Sequence, residues 1–328
     1  MGQGLASFLR TPDAKITIFF ILLFSGGINM AYNKFAQENR NIFIQNFDSI
    51  INEFRNGKSI KHLAKEWNVS KQWISEIFID KGIMKKGFVK YLENENYFEQ
   101  IDTPNKAYIL GLLYADGCNH VQDSNGRTRN HILLSLQIDD YDLLESVRKE
   151  IGYLLPLKER KLKSHYIFDK YVDAKNCKKQ MVLDFSNKKM SQDLLKWGMV
   201  QNKSLKLEFP NISNNLISHF IRGYFDGDGS IYSFYDKKNN IHRIGFKITS
   251  TYSFCNTIMD ILQKELHIQV SINICNPSHN KITCDLRSQS KQNIYILMQW
   301  LYKDANLYMK RKHDKFLELY NMNNSLSA

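Results

Sequence analysis

Two aspartates, Asp116 and Asp228, close two apolar stretches of the same pattern. The first reads Ile109-Leu110-Gly111-Leu112-Leu113-Tyr114-Ala115-Asp116-Gly117, the second Ile221-Arg222-Gly223-Tyr224-Phe225-Asp226-Gly227-Asp228-Gly229. The carboxylates stand 112 positions apart, so the repeating unit is the size of a domain. Each stretch has helical character, and an aspartate in the last turn of a helix meets the partial negative charge of unsatisfied carbonyls. Gly111 and Ala115 in one copy, and Gly223 and Gly227 in the other, lie four apart on one face, a spacing that lets helix backbones approach closely. Packed side by side, two such helices bring both carboxylates and both negative ends to one place, where they repel. A divalent cation resolves the conflict, and an oxygen-only donor set points to Mg2+ rather than zinc. One Asp-Gly after an apolar helix is an ordinary cap. Two, inside matching repeats, read as one shared centre.

The chain carries 45 Lys and Arg against 33 Asp and Glu, a net charge of +12, which favours a polyanionic partner such as nucleic acid. A basic protein with an acidic, metal-bridged centre suits phosphodiester hydrolysis. Its 328 residues, 43% hydrophobic, allow two or three domains with real cores. The cysteines (Cys118, Cys177, Cys255, Cys275 and Cys284) form no C-x-x-C pair, and no His cluster completes a metal set. They read as buried free thiols in a reducing compartment. Ile16 to Phe24 is a continuous apolar run, shorter than the ~20 residues of a membrane span. Arg10 and Lys15 before it also fit a signal peptide. The preferred reading makes residues 1–30 a non-functional extension, with Met30 as an internal start and no membrane partner.

Residues 31–90 read as a helical module and linker, with helices over Phe47–Arg55, Ile60–Glu66 (capped by Ser59) and a third capped by Ser70. The string GKSIKHLAKEWNVSKQWISEIFIDKGI resembles a helix-turn-helix of the resolvase or homeodomain-like kind. That resemblance implies a third helix in a major groove, with Ser70, Lys71, Gln72 and Ser75 turned outward.

Two repeats follow, over 91–207 and 208–328. In the first, Thr103 caps a helix with Pro104 at its first position, and Gly117 is expected to end it in a left-handed conformation. Strands are expected at Cys118–Gln122 and His131–Ile138, the latter with Ile132, Leu134, Leu136 and Ile138 on one face. A helix over Tyr141–Ile151, a hairpin of Tyr166–Tyr171 with Gln180–Phe185, and a helix over Met190–Trp197 complete the copy. In the second, Ser213 or Asn214 caps a helix to Asp228. Then come strands Ser230–Tyr235 and Arg243–Thr249, helix Tyr252–Leu266, strands Val270–Cys275 and Ile282–Arg287, and helices Gln292–Leu301 and Arg311–Tyr320. Both copies read α-β-β-α-β-β-α.

The strings YILGLLYADG and FIRGYFDGDG resemble the paired motifs of the LAGLIDADG homing endonucleases, over about residues 103–320. The resemblance implies an α+β fold of two pseudo-symmetric αββαββα halves meeting through the motif helices, beside the small all-α helix-turn-helix domain. Each half would lay a saddle-shaped antiparallel sheet along the major groove of double-stranded DNA. Asp116 and Asp228 would bind Mg2+ and drive cleavage of both strands. Tyr114 departs from the pattern where the family often has an acid; Asp226 fills that place in the second motif, a position of helix packing more than metal binding. The family also uses a lysine after the last helix of each half: Lys203 in GMVQNKS, and either Lys310 or Lys312 in LYMKRKH. Further polar candidates are Asp140 or Gln137, and Ser250 or Lys247. Contacts to DNA are expected from Arg127, Arg129, Lys237, Lys238, Arg243, Lys247 and Arg287, some on phosphates and some on base edges.

The expectation is a monomeric, Mg2+-dependent endonuclease that cuts a long non-palindromic target and promotes intron mobility. It would be free-standing and intron-encoded, in a phage or bacterial cytoplasm or an organelle. Two alternatives share the fold: a maturase acting on its own intron RNA, and a transcription regulator. The second tends to lose the aspartates retained here.

Overall fold

Side chains three residues ahead of an amide decide where most of the helices begin. The computed structural model describes residues 35–84, 92, 94–124, 127–160, 164–167, 170–275 and 283–325; the extension over 1–30 lies outside them. The chain divides into two compact units, one up to Lys90 with Leu154–Pro156, the other made of the remainder. In the first, helical residues 35–45 precede α1 (Phe47–Arg55), α2 (Ile60–Glu66) and α3 (Lys71–Asp80). Ser59 Oγ accepts from the His62 amide and Ser70 Oγ from that of Trp73, filling donors that a helix start leaves open. Phe43, Ile50, Phe54, Leu63, Ile74 and Phe78 are fully buried and form the core of this unit.

In the second unit, Thr103 caps α4 (Pro104–Asp116), which leads into β1 (Gly117–Ser124), β2 (Arg127–Gln137) and α5 (Tyr141–Ile151). After these come β3 (Lys158–Arg160), β4 (His165–Ile167), β5 (Lys170–Val172), β6 (Gln180–Ser186) and α6 (Lys188–Lys196). The second half holds α7 (Ile217–Asp228), β7 (Gly229–Asp236), β8 (Ile241–Ser250), α8 (Tyr252–Leu266), β9 (Ser271–Cys275), β10 (Thr283–Ser288), α9 (Lys291–Tyr302) and α10 (Lys310–Ser325). The two antiparallel sheets run β1-β2-β6-β3 and β7-β8-β10-β9, the same order in both halves. Alternating apolar residues face inward: Ile132, Leu134 and Leu136 on β2, and Ile244, Phe246 and Ile248 on β8. Helices α5 and α8 cover these sheets with amphipathic faces, Leu144, Val147 and Ile151 in one and Phe254, Ile258 and Leu262 in the other.

Four expectations are corrected. First, β6 pairs with β2 and with the short β3, while β4 and β5 pair only with each other as an inserted ribbon. Lys-Glu-Arg of β3 is fully exposed and shows no alternation to read. Second, Ile138 leaves the strand for a 3-10 turn and stands 39% exposed. Third, α7 has no side-chain cap; a 3-10 turn over Asn214–Leu216 feeds into it instead. Fourth, Cys118 is exposed, because it points outward from β1 between two buried neighbours, while Cys255 and Cys284 are buried. Among the described residues no helix is long and apolar enough to cross a membrane.

The motif helices α4 and α7 meet backbone to backbone. A Cβ built on Gly111 would lie 2.0 Å from the Phe220 carbonyl oxygen, and one on Gly223 would lie 2.0 Å from that of Tyr108. Phe220 and Tyr108 occupy matching places in the two motifs, so the contact is two-fold in character. Gly111→Ala and Gly223→Ala are each expected to destabilise this unit by about 1–3 kcal/mol, since backbone rather than a side-chain tip would have to yield. Urea unfolding measures the loss; an unchanged midpoint for both would contradict this packing.

Candidate active site

Close packing of α4 and α7 sets their last turns together. A Cβ on Gly227 would lie 2.2 Å from the Ala115 Cβ and 3.0 Å from Asp116 Oδ2, so the Asp116 carboxylate rests against the residue that precedes Asp228. The glycines after the aspartates act differently from the expected left-handed cap. Gly117 and Gly229 are extended (φ −86° and −82°), and the residue must be glycine for space. A Cβ would come within 2.6 Å of the Leu113 oxygen at Gly117, and within 2.0 Å of the Phe225 ring at Gly229.

Solvent reaches both residues, yet both carboxylates are partly desolvated. Desolvation, and after it the charge of Asp228, pushes the Asp116 carboxyl up to about 6. Asp228 is also raised by desolvation, against the pull of Lys203 and Lys312. These two lysines stand where the helix carbonyls run out. Lys203 Nζ donates to the Ala115 carbonyl at 2.9 Å. Lys312 Nζ donates to Phe225 and Gly227 carbonyls at 2.8 and 2.9 Å, and to that of Gly229. Ala115 and Gly227 hold matching places, so Lys312 is the partner of Lys203. Lys310, one turn phase away, faces outward and is exposed. Burial lowers both site lysines, Lys312 to about 8. The negative helix ends are therefore met by ammonium groups, not left for a metal alone.

The other polar candidates divide. Asp140 is buried and accepts from Arg311 Nε at 2.9 and 3.0 Å, an ion pair between the halves beside the lysine helix. Gln137 ends β2 in register with Gln180. Ser250 accepts from the Tyr224 hydroxyl at 2.9 Å and shares a cleft of about 230 Å³ with Lys203, Asp228 and Tyr114. Lys247 pairs with Asp285 at 3.5 Å.

Sequence reasoning passed over Arg222, the largest fully buried side chain. Its Nε donates to Leu307 O at 3.0 Å and its Nη1 to Leu301 O at 2.8 Å, and its guanidinium lies over the Tyr108 ring. An arginine interrupting an apolar helix was the available signal. Asp226 belongs to packing, as read: it is fully buried and accepts from Tyr108 and Tyr302 hydroxyls and the Met309 amide.

Of the residues expected on DNA, Arg129, Lys237 and Lys238 are exposed. Arg243 is held by Asp236 at 2.7 Å, and Arg287 lies beside Lys247 across the β8–β10 ladder. The Arg127 side chain lies outside the described residues. In the helical unit, Lys71 and Gln72 are exposed, with Gln72 donating to Glu76 at 2.9 Å. The hydroxyls of Ser70 and Ser75 are instead engaged with their own helix, as N-cap acceptor and as donor to Lys71 O. Both contacts are local, of the kind serine makes with its own helix backbone.

Among the described residues no cluster of three or more His, Cys, Asp or Glu could hold a metal. The two carboxylates suit a hard cation that keeps most of its positions for water and phosphate oxygens, as Mg2+ does.

A doubled αββαββα body with one aspartate from each motif helix at a shared end defines the class. Residues 215–298, which hold α7 to most of α9, match the family model described as a LAGLIDADG-like domain. The first half repeats its sheet order, with the β4–β5 ribbon inserted. The LAGLIDADG homing endonuclease I-GzeII, in complex with its DNA target, is similar over 69% of this chain and 92% of its own, at 12% identity and a TM-score of 0.45. The meganuclease I-AabMI bound to uncleaved DNA is similar over 68% and 92%, at 11% identity and 0.46. The I-LtrWI endonuclease bound to target DNA is similar over 71% and 92%, at 13% identity and 0.47. No curated protein matches the chain.

Two outcomes are expected here. Between the ordinary 3.8 and about 6, the folded Asp116 keeps a proton that the unfolded chain has lost. Stability therefore falls as pH rises through that window. Asp116→Asn removes the slope and should raise the stability of metal-free protein at pH 7, by no more than about 1 kcal/mol because solvent screens the carboxylate. Thermal unfolding at pH 4 and pH 7 reads this, and a larger gain at pH 4 than at pH 7 would contradict it. Separately, Lys312→Met should cost about 1–3 kcal/mol by stripping buried carbonyls of their donor, while Lys310→Met stays near zero. Chemical denaturation of both variants decides.

Proposed function

We propose that the chain is a monomeric, Mg2+-dependent, site-specific DNA endonuclease that breaks both strands of a long non-palindromic target and promotes intron mobility. One observation carries this reading: Asp116 and Asp228, one from each half, come together at the shared end of α4 and α7, near enough for the charge of Asp228 to raise the Asp116 carboxyl, on a chain of net charge +12. When bound, Mg2+ activates water and stabilises the leaving oxygen. Asp116 and Asp228 hold the cation. Lys203 and Lys312 keep positive charge beside the scissile phosphates and neutralise the helix ends. Arg129, Lys237, Lys238 and Arg287 anchor phosphates and read base edges from the two sheets. The halves differ in sequence, so the two half-sites differ too. The helical unit, with Lys71 and Gln72 on the exposed side of α3, adds a second DNA contact at high effective concentration.

The test is incubation with Mg2+ and a plasmid carrying the intron-less host sequence. A double-strand break is expected; none, with Mg2+ or with Mn2+, would sink the nuclease reading, and tight binding of intron RNA in its place would turn it toward a maturase. Asp116→Asn and Asp228→Asn should each slow cutting by roughly a thousandfold or more and leave DNA binding intact. Normal cutting by either variant would remove that residue from the centre.

A further inference from the structure

One position on the motif helices departs from the repeat yet makes matching contacts. Tyr114 and Asp226 stand 112 residues apart, at the same place in α4 and α7. Both are buried, and each faces the segment that leads to its own half's lysine. In the first half the Tyr114 hydroxyl donates to the carbonyl of Trp197, the residue that ends α6. Gly198 follows at φ +89°, and a Cβ there would lie 2.5 Å from the Tyr114 hydroxyl, so the turn is fitted onto the tyrosine. The segment then runs on to Lys203, whose ammonium returns to the carbonyl of Ala115, next to Tyr114. One turn of α4 thus grips the segment at both ends.

The second half reaches the same result with different chemistry. Asp226 Oδ1 accepts from the Tyr302 hydroxyl at 2.7 Å, and Oδ2 from the Met309 amide at 2.7 Å. Those residues bracket the segment between α9 and α10. Arg222, one turn earlier on α7, holds its middle through Leu307 O. Lys312 then meets the carbonyls of Phe225, Gly227 and Gly229. A carboxylate with three buried donors and no solvent exposure has no oxygen to spare for a cation.

We propose that Tyr114 and Asp226 are positioning residues, each clamping the segment that presents one site lysine and so setting the cutting rate of one DNA strand. The proposal rests on the endonuclease reading above. Both side chains are fully buried, so each acts through Lys203 or Lys312. A lysine has a flexible stem, so the backbone beneath it decides where its charge stands, and a misplacement of about 1 Å can cost roughly 100-fold in rate.

The experiment uses the full chain and a duplex bearing the target, with each strand end-labelled in turn. Tyr114→Phe removes one hydroxyl and should slow one strand by roughly 10-fold, the worth of a buried hydrogen bond left unmade. Asp226→Ala should slow the other strand by roughly 10- to 100-fold, with nicked duplex accumulating in both cases. Asp226→Asn keeps an acceptor for the Met309 amide and should restore cutting of that strand. Gel-shift affinity should stay within about 3-fold of the unaltered chain, about 0.7 kcal/mol. If Asp226→Ala fails to bind, Tyr302→Phe carries this arm, with the same strand bias expected at smaller size. Equal loss from both strands, the same strand slowed by both clamps, or no loss from either would overturn the proposal. Failure of the unaltered chain to cut would strike the endonuclease reading instead, so the two failures are distinguishable.

Discussion

Everything in the larger unit depends on how closely two helix backbones approach. Gly111 and Gly223 let α4 and α7 touch main chain to main chain, with no room for a methyl group at either place. That contact sets the halves in two-fold register and fixes which helix ends meet. It also makes the site a property of the pair: Asp116 comes from one half and Asp228 from the other. Gly227 extends the same constraint to the last turn, where a side chain would collide with Ala115 and crowd Asp116.

Burying two carboxylates where two helix C-termini meet has a desolvation cost, visible in the raised Asp116 and Asp228 carboxyls, and at Asp116 the charge of Asp228 adds to it. The fold offsets part of that cost itself. Lys203 and Lys312 leave their own surfaces to donate into carbonyls at the helix ends, and burial lowers both. Each ammonium is thereby fixed within the field of both aspartates.

The halves share a frame but not its details. Tyr114 on one side corresponds to the Asp226–Arg222 network on the other, and the Asp140–Arg311 pair ties the turn after β2 to the lysine helix of the opposite half. The first half alone inserts the β4–β5 ribbon. Such differences persist because the backbone contact at the glycines constrains only a few positions. The surrounding residues are free to solve the same packing problem with different chemistry.

Much of this was legible in the sequence where the determinants are local. Thr103, Ser59 and Ser70 cap helices through amides three residues ahead, and the 3.6-residue period marks Tyr252–Leu266 to the residue. The doubled Gly-x-x-x-small and Asp-Gly pattern announced the close approach of α4 and α7, because helix geometry alone puts those residues on one face and at one end. Tertiary structure decided the rest. Lys310 and Lys312 are chemically alike, and only the phase of α10 against β7 and β8 selects the second. Gly117 and Gly229 look like left-handed caps, yet a neighbouring helix turn makes glycine necessary. Arg222 has no visible partner in the motif itself; the end of α9 and the following loop supply its acceptors. The three charged residues of β3 show no strand signal, because their pairing comes from β6. The sequence by itself thus determined which groups belong together; which atom each one reaches was left to packing between elements far apart in the chain, where the partner lies outside any local window.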